Sequence, residues 1–220
     1  MRFSDNDIEK LKISVSKSLS PKRFAHVLGV ERAAIRIAEK CAAEVIDEIR
    51  VAAILHDITK EHSREEQLKM LNKYGVAATA NDLAAPETLH ALSAPLYIAE
   101  NYPEFATELV MSSISYHTVG NPNMDVAEAI LFVADYIEEG RTYPGAVLLR
   151  EKLYRELDNC GSILNTVSAL CGAVIESINA TVEHLTENSL SVHPITVSTR
   201  DAFIQRKNEI DRLIESGRRN

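Results

Sequence analysis

Apolar residues recur at spacings of three and four along nearly the whole chain, whereas runs that alternate with a period of two are almost absent. Spacings of three and four place side chains on one face of an α-helix, and a period of two indicates a strand. The chain is therefore predicted to be all-α. We expect a single domain over residues 1–220, with a core of about 20–145 and a C-terminal helical extension of about 146–220.

Cap residues and turn signals divide the chain into predicted helices. Ser20 and Pro21 mark the start of a helix that runs to about Ala42, since serine caps helices and proline is favoured in their first turn. A second helix is predicted over 43–60, and Asp125 is predicted to cap one that ends near Glu139. The other helices are predicted over 64–74, 81–84, 86–101 and 104–117, from about 146 to Cys160, along a long stretch after Gly161, and from Pro194 onward.

Two apolar stripes are expected to pack the extension onto the core. The long helix carries Ile163, Val167, Leu170, Val174, Ile178 and Leu185 at helical spacing, and the last helix carries Val197, Phe203 and Ile204. The long helix is also a candidate contact for a homodimer. The stripe alone does not distinguish that contact from simple coverage of the core.

Composition and charge exclude several classes of partner. The formal charge is −8 and the pI is near 5.4, which argues against a polymer of nucleic acid or an anionic membrane surface as the ligand. Trp is absent and aromatic residues make up only 5% of the chain, so a stacking platform for bases is not expected. Any phosphate site is therefore expected to be local.

The chain shows features of a cytoplasmic protein. Its N-terminal residues lack the basic start and apolar stretch of a signal peptide, and the longest apolar runs are shorter than a membrane span. The cysteines are odd in number, widely spaced and without a CxxC pair, so neither a disulfide framework nor a zinc knuckle is predicted. Cys41, Cys160 and Cys171 are expected to be packing residues.

A histidine and an aspartate, His56 and Asp57, end the apolar run over 51–55. Ionisable groups in an apolar setting cost several kcal/mol unless they are paired or coordinate a cation, so this position indicates a metal. Four further residues with suitable donors lie on predicted helix faces or ends: His26, His90, His117 and Asp135. Imidazole and carboxylate suit Fe, Mn, Co, Ni and Zn, and the lack of thiolate disfavours a structural zinc site.

Each of these residues also has a simpler interpretation. A single histidine on an apolar helix face is more often a hydrogen-bonded core residue than a ligand, and Asp135 alone could cap a helix or pair with an arginine. The order, spacing and burial of all six together favour a metal site. Six donors exceed the three or four that one catalytic metal uses, so the set fits two metals, or one metal with two histidines for substrate. His62, His184 and His193 are expected to be surface or capping residues.

The order His, His-Asp, Asp resembles that of the HD-domain metal-dependent phosphohydrolases. Four segments resemble the YqeK-type branch: RFAHVLGV (23–30), LHDITKE (55–61), YHTVG (116–120) and ADYIEEGR (134–141). The likeness extends toward the C-terminus through His193, Pro194, Thr196, Val197 and Arg200. That branch consists of symmetrical bis(5'-nucleosyl)-tetraphosphatases, which cut diadenosine tetraphosphate into two ADP. The resemblance implies a single HD-domain helical bundle with additional C-terminal helices.

The resemblance also implies roles for individual residues. It implies that His26, His56, Asp57 and Asp135 bind a first metal, iron above Mn, Co or Ni, and that His90 and His117 bind a second metal or the substrate phosphates. The implied substrate contacts are Arg23, Lys60, His90, His117, Thr118 and Arg141, and the implied catalytic residues are Asp57, Lys60, His90 and His117. One departure is Ala91, where the family usually has glycine.

We therefore predict a hydrolase that uses a metal-activated water to cleave diadenosine tetraphosphate symmetrically. Two alternatives stay open. One is another HD phosphohydrolase that acts on a nucleoside monophosphate, a cyclic nucleotide or a dNTP. The other is a nucleotide-binding sensor that has kept the site without catalysis, although a sensor commonly loses a ligand and all six candidate positions here can bind metal.

Overall fold

The computed structural model describes residues 2–217, and within that range the chain forms eleven α-helices and no strand, which confirms the all-α prediction. The helices are α1 (Asp5–Val15), α2 (Pro21–Cys41), α3 (Ile46–Leu55), α4 (Arg64–Lys73), α5 (Ala80–Ala84), α6 (Leu89–Asn101), α7 (Glu108–Tyr116), α8 (Val126–Ile137), α9 (Pro144–Asn159), α10 (Ile163–Glu187) and α11 (Pro194–Gly217). Short 3₁₀ turns precede α3, α6 and α7 at Ala43–Val45, Pro86–Thr88 and Pro103–Phe105.

The first helix, α1, lies where the sequence pattern predicts no element. Its start is specified by a capping box, in which the Ser4 side chain accepts from the Asp7 N–H and the Asp7 carboxylate accepts from the Ser4 N–H. Ile8, Leu11 and Val15 are buried, and their spacing of three and four puts them on one face. A local cap and a short stripe were therefore the available signal for this helix.

The helix α3 lies at the centre of the fold and contacts α1, α2, α7 and α8. Every residue over 51–55 is buried. The helix ends at Leu55, so the prediction that it continues to Lys60 is wrong. Residues 56–61 form tight turns, with the N–H of Ile58 bonded to the Leu55 carbonyl and that of Lys60 to the Asp57 carbonyl. His56 and Asp57 are thus placed at a helix end inside the core.

Other predicted helix boundaries also differ, and the helices predicted from 43 and from 86 begin at Ile46 and Leu89, after 3₁₀ turns. The helix predicted over 104–117 begins at Glu108, because Pro103–Phe105 forms a 3₁₀ turn and the Thr107 side chain caps α7. The helix capped by Asp125 ends at Ile137, two residues before the predicted end, and Glu138 leaves the helical conformation. This early end directs the Glu138 side chain back toward α2.

The long helix α10 packs against α2, α8, α9 and α11. By length and composition alone this helix of 25 residues is apolar enough to cross a membrane, and 44% of its most apolar stretch is buried inside the fold. Leu170, Val174 and Ile178 are buried as predicted, but Ile163, the first residue of the helix, is exposed. In α11 Phe203 is buried, whereas Ile204 lies about 100° further round the helix and is exposed.

The last helix, α11, also touches the loop that follows α7. The Thr196 hydroxyl donates to the Val119 carbonyl at 3.0 Å. Gly120 has φ of +78°, and a Cβ there would meet the Thr199 side chain at 2.8 Å, so both its conformation and its close contact favour glycine. Arg206 donates to the Met124 carbonyl further along the same loop. The extension therefore packs directly on the segment beside His117.

Candidate metal centre

The six predicted donors come from five separate parts of the chain and meet in one place. His26 lies in α2, His56 and Asp57 follow α3, His90 is in the first turn of α6, His117 follows α7, and Asp135 is in the last turns of α8. Their donor atoms form three overlapping groups, each within 4.8 Å: His26, His56 and Asp57; His56, His117 and Asp135; Asp57, His90 and His117. All six lie together as the sequence predicts.

Asp57 lies between two pairs of histidines. Its Oδ2 atom is 3.6 Å from His26 Nε2 and 3.5 Å from His56 Nε2. Its Oδ1 atom faces the other pair, at 3.2 Å from His90 Nε2 and 3.9 Å from His117 Nε2. Each oxygen of one carboxylate thus belongs to a different half of the cluster.

Asp135 joins the first half of the cluster. Its Oδ1 atom lies 3.0 Å from His26 Nε2 and 4.0 Å from His56 Nε2. The first half therefore contains two imidazoles and two carboxylates, while the second contains two imidazoles and the remaining oxygen of Asp57. The first half therefore carries more negative charge than the second.

Three of the histidines are oriented by the backbone. The Nδ1 atoms of His56, His90 and His117 lie 2.7, 2.8 and 2.6 Å from the carbonyl oxygens of Ala53, Glu87 and Ile114, in each case three residues earlier. A carbonyl only accepts, so each Nδ1 carries the proton, and in the neutral ring Nε2 then presents a lone pair. All three lone pairs are directed into the cluster.

Within residues 2–217, the Nε2 atoms of His26 and His56 are buried without a hydrogen-bond partner, and those of His90 and His117 lie 2.9 Å apart. Buried lone pairs that face one another and two carboxylates are unfavourable unless a positive species lies between them. Imidazole and carboxylate donors in this arrangement fit a divalent first-row metal.

The protonation of the cluster suits metal binding. Burial would raise the pKa of Asp57, but His56 and His90 outweigh it and hold the pKa well below its usual range. Burial likewise opposes ionisation of Asp135, yet the adjacent His26 ring, together with His56 and Arg141, lowers its pKa strongly. Both carboxylates are therefore charged at neutral pH.

The histidines divide into two kinds. Burial lowers the pKa of His90, and burial together with its histidine neighbours lowers the pKa of His117 to about 3, so both rings are neutral. Burial also opposes the charge of His56, but the fields of Asp57 and Asp135 outweigh burial and raise its pKa. A cation near His56 is therefore favoured by its surroundings, whether proton or metal.

Three cationic side chains surround the cluster. Arg23 Nη1 lies 2.6 Å from Asp57 Oδ2, and Arg141 Nη2 lies 2.8 Å from Asp135 Oδ1. Lys60 Nζ donates to the Glu87 carbonyl at 3.0 Å and lies 3.3 Å from His90 Nδ1. Burial lowers the pKa of Lys60, an effect that the field of Asp57 partly offsets. All three predicted cations are thus at the cluster, and both arginines are partly exposed.

Thr118 follows His117 directly, and its Oγ1 is buried without a hydrogen-bond partner among residues 2–217.

Two polar residues that the sequence did not single out support the cluster. Thr59 is fully buried, with its hydroxyl 2.8 Å from Ser93 Oγ and 3.2 Å from the His90 carbonyl, so it joins the turn after α3 to α6. Glu138 is buried with Oε1 3.2 Å from His26 Nδ1. Its signal in the sequence was its position three residues after Asp135.

Residues predicted to lie outside the cluster are mostly as expected. His184 is exposed and bonded to Asn188 at the end of α10, and His62 is half-buried. His193 is not at the surface, but it has the other predicted role and caps α11: its Nδ1 accepts from the Ile195 N–H in the first turn of that helix. Its Nε2 lies 3.4 Å from Asp82 Oδ1, and this contact with α5 covers the side chain. Cys171 is buried, and all three cysteines are free.

Residues 23–140, more than half of the chain, match the protein-family model described as HD domain. The chain belongs to the HD domain family. The matched segment contains all six donors and ends beside Arg141, so the family match and the cluster coincide. Ala91, where related HD proteins usually carry glycine, is buried in the first turn of α6, and His90 still reaches the cluster beside it.

Curated relatives of this HD protein cover most of its length. It is 30% identical over 185 residues to a protein of Bacillus subtilis (strain 168), which covers 84% of this chain and 91% of the relative. A Staphylococcus aureus protein is 31% identical over 193 residues, covering 87% and 91%. A Halalkalibacterium halodurans protein is 29% identical over 192 residues, covering 86% and 93%. All three are named symmetrical bis(5'-nucleosyl)-tetraphosphatase.

A solved structure shares the HD fold. It is that of a protein from Clostridium acetobutylicum described as a predicted HD superfamily hydrolase involved in NAD metabolism. The TM-score is 0.77 at 27% identity, and the match covers 90% of this chain and 97% of the other. The likeness thus includes the C-terminal helices as well as the segment with the donors.

Proposed function

We propose that this HD protein is a metal-dependent symmetrical bis(5'-nucleosyl)-tetraphosphatase that hydrolyses diadenosine tetraphosphate to two ADP. The observation that carries the hydrolytic part is the convergence of four imidazole Nε2 atoms on two carboxylates. The choice of substrate is supported by the names of three relatives that span most of this chain.

We infer that His26, His56, Asp57 and Asp135 hold the first metal, because this half of the cluster contains both carboxylates. His90, His117 and Asp57 Oδ1 form the second half, which takes a second metal or a phosphate of the substrate. A bound divalent metal lowers the pKa of a water molecule and neutralises charge on phosphoryl oxygens. Iron is proposed as the resident metal, with Mn, Co and Ni as substitutes.

The cations have a separate task, which is to hold phosphate. Arg23 and Arg141 each contact a carboxylate of the cluster and keep part of the side chain exposed, so their remaining N–H groups can donate to substrate. Lys60 presents its ammonium beside His90. Thr118 offers a buried hydroxyl without a protein partner. Together these groups would compensate the four phosphates in a chain whose overall charge is −8.

The reaction consumes one water molecule and breaks the bond between an inner phosphorus and the central bridging oxygen. The water oxygen stays on one ADP, the bridging oxygen stays on the other, and protons are released.

We place this activity in the cytoplasm. We also propose a single domain of residues 1–220 and a homodimer through the exposed part of the extension, where Ile163, Ile204 and Leu213 are exposed.

Product analysis tests the proposed function. Protein loaded with Fe²⁺ or Mn²⁺ and incubated with diadenosine tetraphosphate should form ADP alone, which anion-exchange chromatography resolves from ATP and AMP. In water enriched in ¹⁸O, half of the ADP molecules should carry one heavy oxygen. His56→Ala provides the inactive control, because it removes a donor from the first half of the cluster.

Two other results would contradict the proposal. ATP plus AMP as products, or hydrolysis of a nucleoside monophosphate, cyclic nucleotide or dNTP in preference to the dinucleotide, would indicate a different HD phosphohydrolase. Tight binding of ADP without turnover, with Fe, Mn, Co and Ni each supplied in turn, would indicate a sensor.

A further inference from the structure

His26 differs from the other three histidines of the cluster in how its ring is held. The others donate Nδ1–H to a backbone carbonyl three residues earlier. His26 lies inside α2, where the carbonyls of earlier residues already accept from the helix's own N–H groups. Its Nδ1 is instead 3.2 Å from Oε1 of Glu138. A side chain thus supplies the acceptor that the helix backbone does not offer.

The fold builds a closed place for this carboxylate. Glu138 is only 3% exposed, and its Oε2 accepts from the Gly140 N–H at 2.6 Å. Arg150 Nη1 donates to the carbonyls of Ile137 and Glu138 at 2.9 and 2.8 Å, which holds the backbone at the end of α8. Gly140 therefore holds the carboxylate, and Arg150 holds the backbone that carries it.

The opposite wall of this place is a glycine. Gly29, one turn after His26 in α2, has no side chain, and a Cβ built there would meet Glu138 Oε2 at 2.2 Å. A contact that short cannot be accommodated without moving the carboxylate. The helix that carries the histidine thus leaves room for the acid that orients it.

We propose that Glu138 is a positioning residue for His26. Its carboxylate accepts Nδ1–H, so the lone pair of Nε2 faces the metal position and the imidazole becomes a stronger donor. This inference rests on the proposed function only in taking His26 as a metal ligand. The alternative is a carboxylate that serves the turn alone, by accepting from Gly140.

Glu138→Gln separates the two roles. Glutamine has nearly the same shape, and its one carbonyl oxygen can still accept from the Gly140 N–H. Its NH₂ group then faces His26 Nδ1 and favours the tautomer with the proton on Nε2, the atom that must bind metal. The dissociation constant for Mn²⁺ alone, measured by calorimetry on metal-free protein without substrate, should rise about 10- to 100-fold. The melting temperature of the metal-free protein should stay close to that of the wild type.

Gly29→Ala tests the same contact from the other side, because it leaves both His26 and Glu138 in the chain. It should also weaken Mn²⁺ binding. Gly172→Ala in α10 is its matched control, since a Cβ there meets only Lys207 Cε at an ordinary 3.5 Å. Glu139→Gln is the control for Glu138→Gln, because Glu139 is exposed. Both controls should bind Mn²⁺ as the wild type does.

Wild-type Mn²⁺ affinity in both Glu138→Gln and Gly29→Ala would overturn the inference. So would a loss of stability in the metal-free variants that accounts for the weaker binding, or failure of both variants to fold, because either would assign Glu138 to the turn. Metal binding is measured here without nucleotide, and the wild-type product assay is independent of it. The proposed role of Glu138 can therefore fail while the proposed function holds, and the proposed function can fail while the role of Glu138 holds.

Discussion

His90 and His117 face each other through their Nε2 atoms, 2.9 Å apart, although one lies in α6 and the other follows α7. Each ring donates its Nδ1–H to a backbone carbonyl, so two lone pairs meet. Such a pair is stable only when a metal, a proton or a substrate group lies between the rings, or when they move apart. The second half of the cluster is thus formed by two neutral bases.

His117→Ala should therefore separate the two halves. We expect it to keep the metal bound by the first half and to lower kcat/KM for diadenosine tetraphosphate by at least about 100-fold. His56→Ala should lose bound metal altogether. Metal content by mass spectrometry, set against kinetics on the same samples, gives the comparison, and loss of all metal from His117→Ala would disprove the division.

Asp57→Asn should be more damaging than either change in a histidine. The carboxylate is charged and faces both halves of the cluster, and asparagine keeps its size but not its charge. We expect turnover to fall by at least about 1,000-fold and metal binding to weaken as well. Circular dichroism should show an intact helical fold. Turnover within tenfold of the wild type would contradict a role for Asp57 in both halves of the cluster.

Lys60→Met tests a phosphate contact without a change in the metal donors. Methionine preserves the length of the side chain and removes its charge, so we expect the KM for diadenosine tetraphosphate to rise about 10-fold or more, with metal content unchanged. Lys69→Met is the matched control, because Lys69 is exposed and pairs with Glu65 on the surface of α4. An equal effect of both changes would mean that Lys60 acts through overall charge.

Removal of the metal should destabilise the protein as well as inactivate it. Without a cation, the facing Nε2 lone pairs of His90 and His117 stay buried and uncompensated. Metal that binds only the folded state should add about 2.7 kcal/mol at a free concentration 100 times its dissociation constant. Thermal melts at a series of Mn²⁺ concentrations check this. A melting temperature that does not depend on Mn²⁺ would argue against the site.

Cys41 supplies a pH-dependent marker far from the cluster. Burial, with a contribution from Glu44, raises its pKa to about 11. Because the thiolate is the reactive form, alkylation of Cys41 in the folded protein should quicken about tenfold per pH unit and level off only near pH 11. Peptide mass spectrometry identifies the modified cysteine, and levelling off near pH 9 would disprove the shift.

The raised pKa of Cys41 also makes the stability of the fold depend on pH. Cys41 keeps its proton in the folded state at pH values where the unfolded chain has lost it, because its folded pKa lies above the ordinary value of 9.0. Its contribution to stability is therefore complete below about pH 9 and is lost as the pH rises toward 11. Cys41→Ser should flatten this part of the curve of unfolding free energy against pH.

The all-α fold and the six donors could be predicted because their signals are strong and local. Apolar residues at helical spacing predict the helices, and His56 and Asp57 stand out at the end of an apolar run. The predicted end of α3 is wrong because the packing of the site, and not the local pattern, determines where the helix stops. The chain leaves the helix at His56 and enters tight turns, so the stripe that appears to continue to Lys60 belongs to the site.

Contacts between distant segments could not be predicted from the sequence. In the sequence, Glu138 cannot be told apart from a solvated glutamate that follows a helix. Only the packing of Gly29 against its carboxylate shows that it is enclosed. The capping role of His193 could be predicted, but its burial could not, because its partner Asp82 lies in the short helix α5, more than a hundred residues earlier. Each of these needed the packing of two helices that no local pattern describes.

The contact of α11 with the loop beyond His117 has a consequence for synthesis of the protein. Thr196 and Thr199, which contact Val119 and Gly120, are synthesised more than 60 residues after Asp135, the last of the six donors in the chain. While the chain is still being translated, the loop beside His117 lacks its outer wall, even though every metal donor has already been synthesised. The segment beside His117 can therefore reach its final packing only once α11 has been synthesised and has folded against it.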